Sequence, residues 1–148
     1  MYLTQQTDYA LRVLIYTAVN HDDLVNIATI AETYDISKSH LMKVVTALVK
    51  GGFLHSVRGK GGGLRLSRPA EEIRIGAVVR TMEPLQIVEC FSQNNQCIIS
   101  HNCRLAEILH GGVKAFLAHL DGFTLADLLN KSMHEVLYIS QIPIITEP

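Results

Sequence analysis

Cys90, Cys97 and Cys103 are the three cysteines of this chain, and they fall within fourteen residues. Six residues separate the first pair and five the second. The intervening Ser92, Gln93, Asn94, Asn95 and Gln96 are poor core material. Free structural cysteines usually sit in apolar surroundings. Three thiols in a polar loop are instead suited to soft metals, as ligands for an iron–sulfur cluster or for zinc. An odd count cannot close completely into disulfides within one chain. Zinc wants four ligands. His101 could join the three cysteines, although the spacing is not that of a common zinc finger. An iron–sulfur cluster needs a ligand beyond three thiolates, and a weak fourth position leaves one iron open to a diatomic gas. A thiol redox switch and an inert trio are the remaining readings.

A second group of residues suits nucleic acid. The chain has 13 basic and 14 acidic residues and a formal charge of −1. Seven of the basic residues (Lys38, Lys43, Lys50, Arg58, Lys60, Arg65 and Arg68) lie between Ser37 and Pro69, a stretch with no Asp or Glu. The other six are set against all 14 acids. One segment is therefore strongly positive although the whole chain is not, which is the footprint that phosphate contact requires.

The elements that must position these groups follow from periodicity and caps. Thr4 or Thr7 can cap a first helix to about Val19, with Leu11, Leu14, Ile15 and Ala18 at helical spacing. Asn26 can cap a short second helix, Ile27 to Tyr34, and Asp35-Ile36 makes a tight turn. Ser37 caps a third helix to about Lys50, ended by Gly51-Gly52. Its Leu41, Val44, Val45 and Leu48 face inward, leaving Lys38, Ser39, His40, Met42 and Lys43 outward. Phe53–Val57 and Leu64–Leu66 read as a hairpin whose flexible tip is Arg58-Gly59-Lys60-Gly61-Gly62-Gly63. A helix from Ile75 to Met82 stops before Pro84, and Leu85 to Asn102 forms the cysteine loop. A longer helix then carries Leu105, Ile108, Leu109, Val113, Phe116, Leu117 and Leu120 on one stripe. Gly111-Gly112 interrupts it, as a break or as a point of close helix approach. A last short helix runs from Leu125 to Leu129, and the tail after Pro143 is loose.

This order is that of a winged helix-turn-helix in a mainly α fold with a small β-hairpin. Residues 1–82 make the DNA-binding domain, and residues 83–148 carry the cysteine loop and the long helix. The third helix would lie in the major groove with Ser37, Lys38, Ser39, His40 and Lys43 near base edges and phosphates. Arg58 and Lys60 on the wing suit the minor groove or the backbone. The glycine run lacks the spacing and the Lys-Ser/Thr ending of a nucleotide loop. No nucleophile–base pair or paired-acid motif suggests an enzyme. No apolar run reaches the ~18–20 residues that span a bilayer, and the first residues lack a signal-peptide pattern. A cytosolic protein is expected, where thiols stay reduced.

The chain resembles the NsrR family of nitric-oxide-sensing repressors, winged-helix regulators related to IscR. The likeness rests on Leu3-Thr4 with Thr7-Asp8-Tyr9-Ala10-Leu11-Arg12, and on Ile36-Ser37-Lys38-Ser39-His40-Leu41. It continues through Val57 to Leu66, Ile75 to Arg80, Glu83-Pro84-Leu85, the three cysteines and Phe123 to Leu128. The resemblance implies a homodimer, built on the Leu105–Leu120 stripe, that binds palindromic promoter DNA. It implies one cluster per subunit, [4Fe-4S] with [2Fe-2S] as the alternative, and release of DNA when nitric oxide attacks it. It also implies Asp8, contributed across the dimer, as the fourth ligand beside Cys90, Cys97 and Cys103. Taken alone, an acid in a helix's first turn serves the helix dipole. IscR-like members place a histidine three residues after the last cysteine, and here that position is Ala106. A regulator of the same build that reports iron, cluster supply or redox state is the nearest rival.

Overall fold

A computed structural model describes residues 2–139 of the chain. Local caps set the helix ends. Helix α1, Gln5–Val19, starts at Thr4, whose hydroxyl accepts from the Thr7 N–H. Helix α2, Ile27–Tyr34, starts at Asn26, whose side chain accepts from the Ala28 N–H at 2.8 Å. It ends at Asp35, which takes a left-handed φ of 51°. Aspartate tolerates that conformation better than most residues. Helix α3, Lys38–Lys50, starts at Ser37, which caps the His40 N–H. Each boundary agrees with the sequence reading.

Strands β1, Leu54–Val57, and β2, Gly63–Leu66, pair antiparallel with Leu54 opposite Leu66 and Val57 opposite Gly63. A reciprocal pair of backbone hydrogen bonds, at 2.8 and 2.9 Å, adds Val25 to the Leu64 edge. The wing is thereby fixed to the segment between α1 and α2. Helix α4, Ile75–Met82, precedes the cysteine loop, and helix α5, Arg104–Asp121, follows it.

The main core joins α1, α2, α3 and the hairpin through Leu14, Tyr16, Ile30, Leu41, Leu48 and Leu64, all essentially inaccessible to solvent. Leu125 and Leu137 enter the same core from the far end of the chain. A smaller apolar cluster of Ile75, Val79 and Leu117 joins α4 to α5, with Leu85 from the start of the loop packed on it. At the outer end of this contact Arg80 and Asp121 form a two-pronged ion pair at 2.6 and 2.7 Å. Gly76 allows that approach, because a Cβ there would lie 2.1 Å from an Asp121 carboxylate oxygen.

Three details differ from the sequence reading. Helix α5 runs unbroken through Gly111 and Gly112, so the break does not form, and both glycines leave open space where a Cβ would stand. The expected helix at Leu125–Leu129 is a single 3-10 turn, Ala126–Leu128, preceded by Thr124, whose N–H and hydroxyl both donate to Asp127. A further helix, α6 at Lys131–Ile139, follows it and was not anticipated. The expectation for the tail after Pro143 lies outside the described residues.

Candidate nucleic-acid interface and metal centre

The basic segment forms one continuous structural unit. Leu41, Val44, Val45 and Leu48 hold α3 in the core, which turns Lys38, Ser39, His40 and Lys43 to solvent. Ser37 is exposed too, but its oxygen is engaged in the cap, and its hydroxyl lies 3.4 Å from that of Ser39. Met42, 53% exposed, puts an apolar tip among these polar side chains. The N-terminus of α3 adds the partial positive charge of its unpaired N–H groups.

At the wing tip, Arg58 and Lys60 are exposed on either side of Gly59. Gly59 and Gly61 take φ of 96° and 78°, values that L side chains rarely adopt. Gly62 closes the turn with an N–H to the Gly59 carbonyl at 3.0 Å, and a Cβ there would lie 2.2 Å from the Val57 carbonyl oxygen. The tip is thus a backbone-defined loop that presents two cations.

The three cysteines are free and half-buried. Cys90 sits in a single 3-10 turn, Glu89–Phe91, Cys97 lies in the loop, and Cys103 is the N-cap of α5. The N-terminus of an 18-residue helix favours negative charge at that point. The loop is held by short-range bonds. The Gln96 N–H donates to Glu89 at 2.9 Å, the Cys97 N–H donates to Asn95 at 2.9 Å, and the Ser100 hydroxyl donates to the Cys97 carbonyl at 2.9 Å. Phe91 stacks on His110 of α5, with ring centroids 3.8 Å apart and planes 17° apart.

The donor chemistry fits an iron–sulfur cluster: three unpaired thiols share one loop, with no disulfide among them. Among the described residues, no three His, Cys, Asp or Glu side chains stand close enough together to hold a metal ion. Asp8 projects from the first turn of α1 and is paired with Arg12 one turn later, at 2.8 Å. Both side chains are more than 40% exposed. Such a pair is worth about 0.3–0.5 kcal/mol, so Asp8 can exchange its partner at little cost. The Arg12 guanidinium also lies 5.8 Å from the Tyr9 and Tyr34 ring centroids, which connects the Asp8 turn to α2.

Glu83 enters the sequence reading only within the matching block Glu83-Pro84-Leu85, yet it joins the two halves of the site. A capping box carries Glu or Gln at the third helical position, reaching back to the N-cap N–H. In α1 that position is Thr7. The carboxylate comes instead from Glu83, 79 residues away, at the end of α4. One Glu83 oxygen accepts from the Thr4 N–H at 2.5 Å, the Thr4 hydroxyl at 2.9 Å and the fully buried Thr7 hydroxyl at 2.5 Å. Partial burial pushes the Glu83 carboxyl up. The hydrogen bonds from Thr7, the Thr4 backbone and the Thr4 hydroxyl outweigh it and hold the group below the usual carboxylate range. The start of α1, which bears Asp8, is thereby fastened to the start of the cysteine loop.

A helix-turn-helix with a glycine-tipped basic wing, followed by a thiol loop and a long helix, matches a known architecture over most of its length. The Rrf2 family description, iron-dependent transcriptional regulator, fits residues 3–131. The chain belongs to the Rrf2 family. It is 51% identical over 132 residues to the HTH-type transcriptional regulator NsrR of Bacillus subtilis (strain 168), covering 87% of this chain and 90% of that protein. Among solved structures it is similar to CymR of B. subtilis, the global cysteine regulator, at 25% identity and a TM-score of 0.63, covering 86% and 95% of the two chains. The oxidised form of Staphylococcus aureus CymR gives 27% and 0.68, covering 86% and 95%. IscR of T. potens, at 23% identity and a TM-score of 0.67 over 89% and 88%, shares the fold. The protein is accordingly a transcriptional regulator with a winged helix-turn-helix. No helix among the described residues is long and apolar enough to cross a membrane.

Proposed function

We propose that this regulator is a repressor that binds promoter DNA as a homodimer and releases it in response to nitric oxide. The observation that carries the reading is the joint presence, in one Rrf2-family chain, of an acid-free basic helix and wing and three unpaired thiols on one loop. The 51% identity to a protein named NsrR supports nitric oxide as the signal.

Cys90, Cys97 and Cys103 would hold an iron–sulfur cluster, of the [4Fe-4S] type, with Asp8 of the other subunit as the fourth ligand. When bound, that group supplies iron sites reactive toward nitric oxide. Asp8 would give up Arg12 in the cluster-bound state and pair with it again in the cluster-free state. Only the bound state would pull on α1, which Arg12 beside Tyr34 connects to α2 and Glu83 ties to the start of the loop. Coupling requires such a contact, made in one state and absent in the other. Lys38, Ser39, His40 and Lys43 of α3, with Ser37 at its cap, meet the major groove. Arg58 and Lys60 meet the backbone or minor groove. Leu105 and Ile108, 59% and 62% exposed on α5, with the open backbone at Gly111 and Gly112, support a helix-to-helix dimer contact. A two-fold dimer then calls for palindromic DNA. The protein works in the cytosol, where its thiols remain reduced.

Single Cys→Ser substitutions test the ligand set. Each should abolish the visible absorption of protein purified without oxygen and remove its nitric-oxide response. Retention of the wild-type spectrum by any one of them would strike that cysteine from the set.

A further inference from the structure

We propose that Phe91 and His110 are positioning residues for the cluster, an inference that rests on the reading above. Their stacked rings join the turn that carries Cys90 to the helix that Cys103 caps. Three observations carry it. Phe91 follows Cys90 directly, within the same 3-10 turn. His110 lies seven residues after Cys103, two helical turns along, so the two share a face of α5. The rings overlap nearly parallel at 3.8 Å. The hydrogen bonds around Cys97 stay within the loop, and among the described hydrogen bonds and ring contacts it is the stack that links the Cys90 turn to α5.

A groove of about 500 Å³ opens beside the stack, lined by Cys103, Arg104, Ala106, Glu107, His110 and the turn from Ser100, and Cys90 and Cys97 stand outside its lining. His110 acts here through its ring face rather than through a nitrogen ligand. Phenylalanine should therefore replace it, whereas glutamine, which keeps hydrogen bonding but has no ring, should not.

The experiment compares wild type, His110→Ala, His110→Gln, His110→Phe and Phe91→Ala as full-length protein. Two readouts are taken: the rate of cluster loss to an iron chelator without oxygen, and the rate at which a short bifunctional thiol reagent joins Cys90 to Cys103 in the cluster-free Cys97→Ser background. An aromatic pair is of a size to change such rates about three- to tenfold. His110→Ala, His110→Gln and Phe91→Ala should speed cluster loss and slow cross-linking by that factor, with the visible spectrum unchanged. His110→Phe should match wild type in both, and the double alanine variant should be no worse than either single. A spectrum altered by His110→Phe would make His110 a ligand and overturn the proposal. So would equal rates across the series. Wild type without iron would remove the cluster reading, and unchanged cross-linking in the same series would then remove the positioning role independently.

Discussion

Replacing Glu83 with alanine should cost about 2–3 kcal/mol of folding stability at neutral pH. The figure follows from which partners can find water. A hydrogen bond to a charged group is worth about 1.5–3 kcal/mol, and a buried hydroxyl left without its acceptor costs about 1–3 kcal/mol. The Thr4 groups are half-buried and recover water. Thr7 is fully buried, and its hydroxyl keeps only the Thr4 hydroxyl, 3.3 Å away. For a chain of this size the loss is a fall of about 5–10 °C in Tm. Glu83→Gln retains one acceptor oxygen and should lose about half as much. The sign of the pH dependence is fixed by the depressed carboxyl. A group whose folded pKa lies below its ordinary 4.5 contributes fully above that value and loses its contribution as pH falls through the folded pKa. Urea titrations of metal-free protein at pH 7, 5 and 3.5, followed by circular dichroism, would show a deficit that is constant from pH 7 to 5 and shrinks by pH 3.5. A deficit under about 0.5 kcal/mol, or one equally large at every pH, would refute the argument that a charged Glu83 caps α1.

Other perturbations separate the parts of the site. Arg58→Ala with Lys60→Ala should weaken DNA binding and flatten the salt slope by about 2, measured as log affinity against log salt. An unchanged slope would remove the wing from the interface. Asp8→Ala should leave metal-free stability within about 0.5 kcal/mol, since its pair with Arg12 is exposed. The same variant should change the cluster's visible spectrum and weaken DNA binding, and an unchanged spectrum would remove Asp8 from the ligand set. Gly76→Ala should break the Arg80–Asp121 pair, because its Cβ meets the Asp121 carboxylate. The lost pair is exposed and worth little, and alanine is favoured over glycine within a helix. Thermal melts should therefore show a Tm within a few degrees of wild type, and a large fall would mean that α5 itself is forced off α4.

The fold was legible where the signals are local. Thr4, Asn26 and Ser37 each cap a helix within three residues, so the three helices of the reading head had readable starts. The glycine-rich tip likewise declared the hairpin, because Gly59 and Gly61 need backbone that other residues resist. Helix α6 carried a signal that was missed. Asn130 accepts from the Met133 N–H at 2.7 Å, and the buried Leu137 follows one turn beyond Met133. The tie from Glu83 to Thr4 and Thr7 spans nearly eighty residues, and nothing in local spacing marks it. The stack of Phe91 on His110 is hidden for the same reason, since it depends on how the loop folds back onto α5. Thiol chemistry was readable from residue type. The position of each sulfur was not, because loop 85–102 is shaped by bonds among its own polar side chains rather than by a periodic core face.

Whether nitric oxide drives this regulator off DNA is decided by native mass spectrometry of protein prepared without oxygen, with nitric oxide titrated in. Fluorescence anisotropy is read in parallel on a promoter fragment recovered by selection against the protein. A dimer carrying one iron–sulfur cluster per subunit should hold the DNA and release it as nitric oxide is added. A colourless or zinc-loaded protein, or one whose anisotropy ignores nitric oxide, would contradict that expectation.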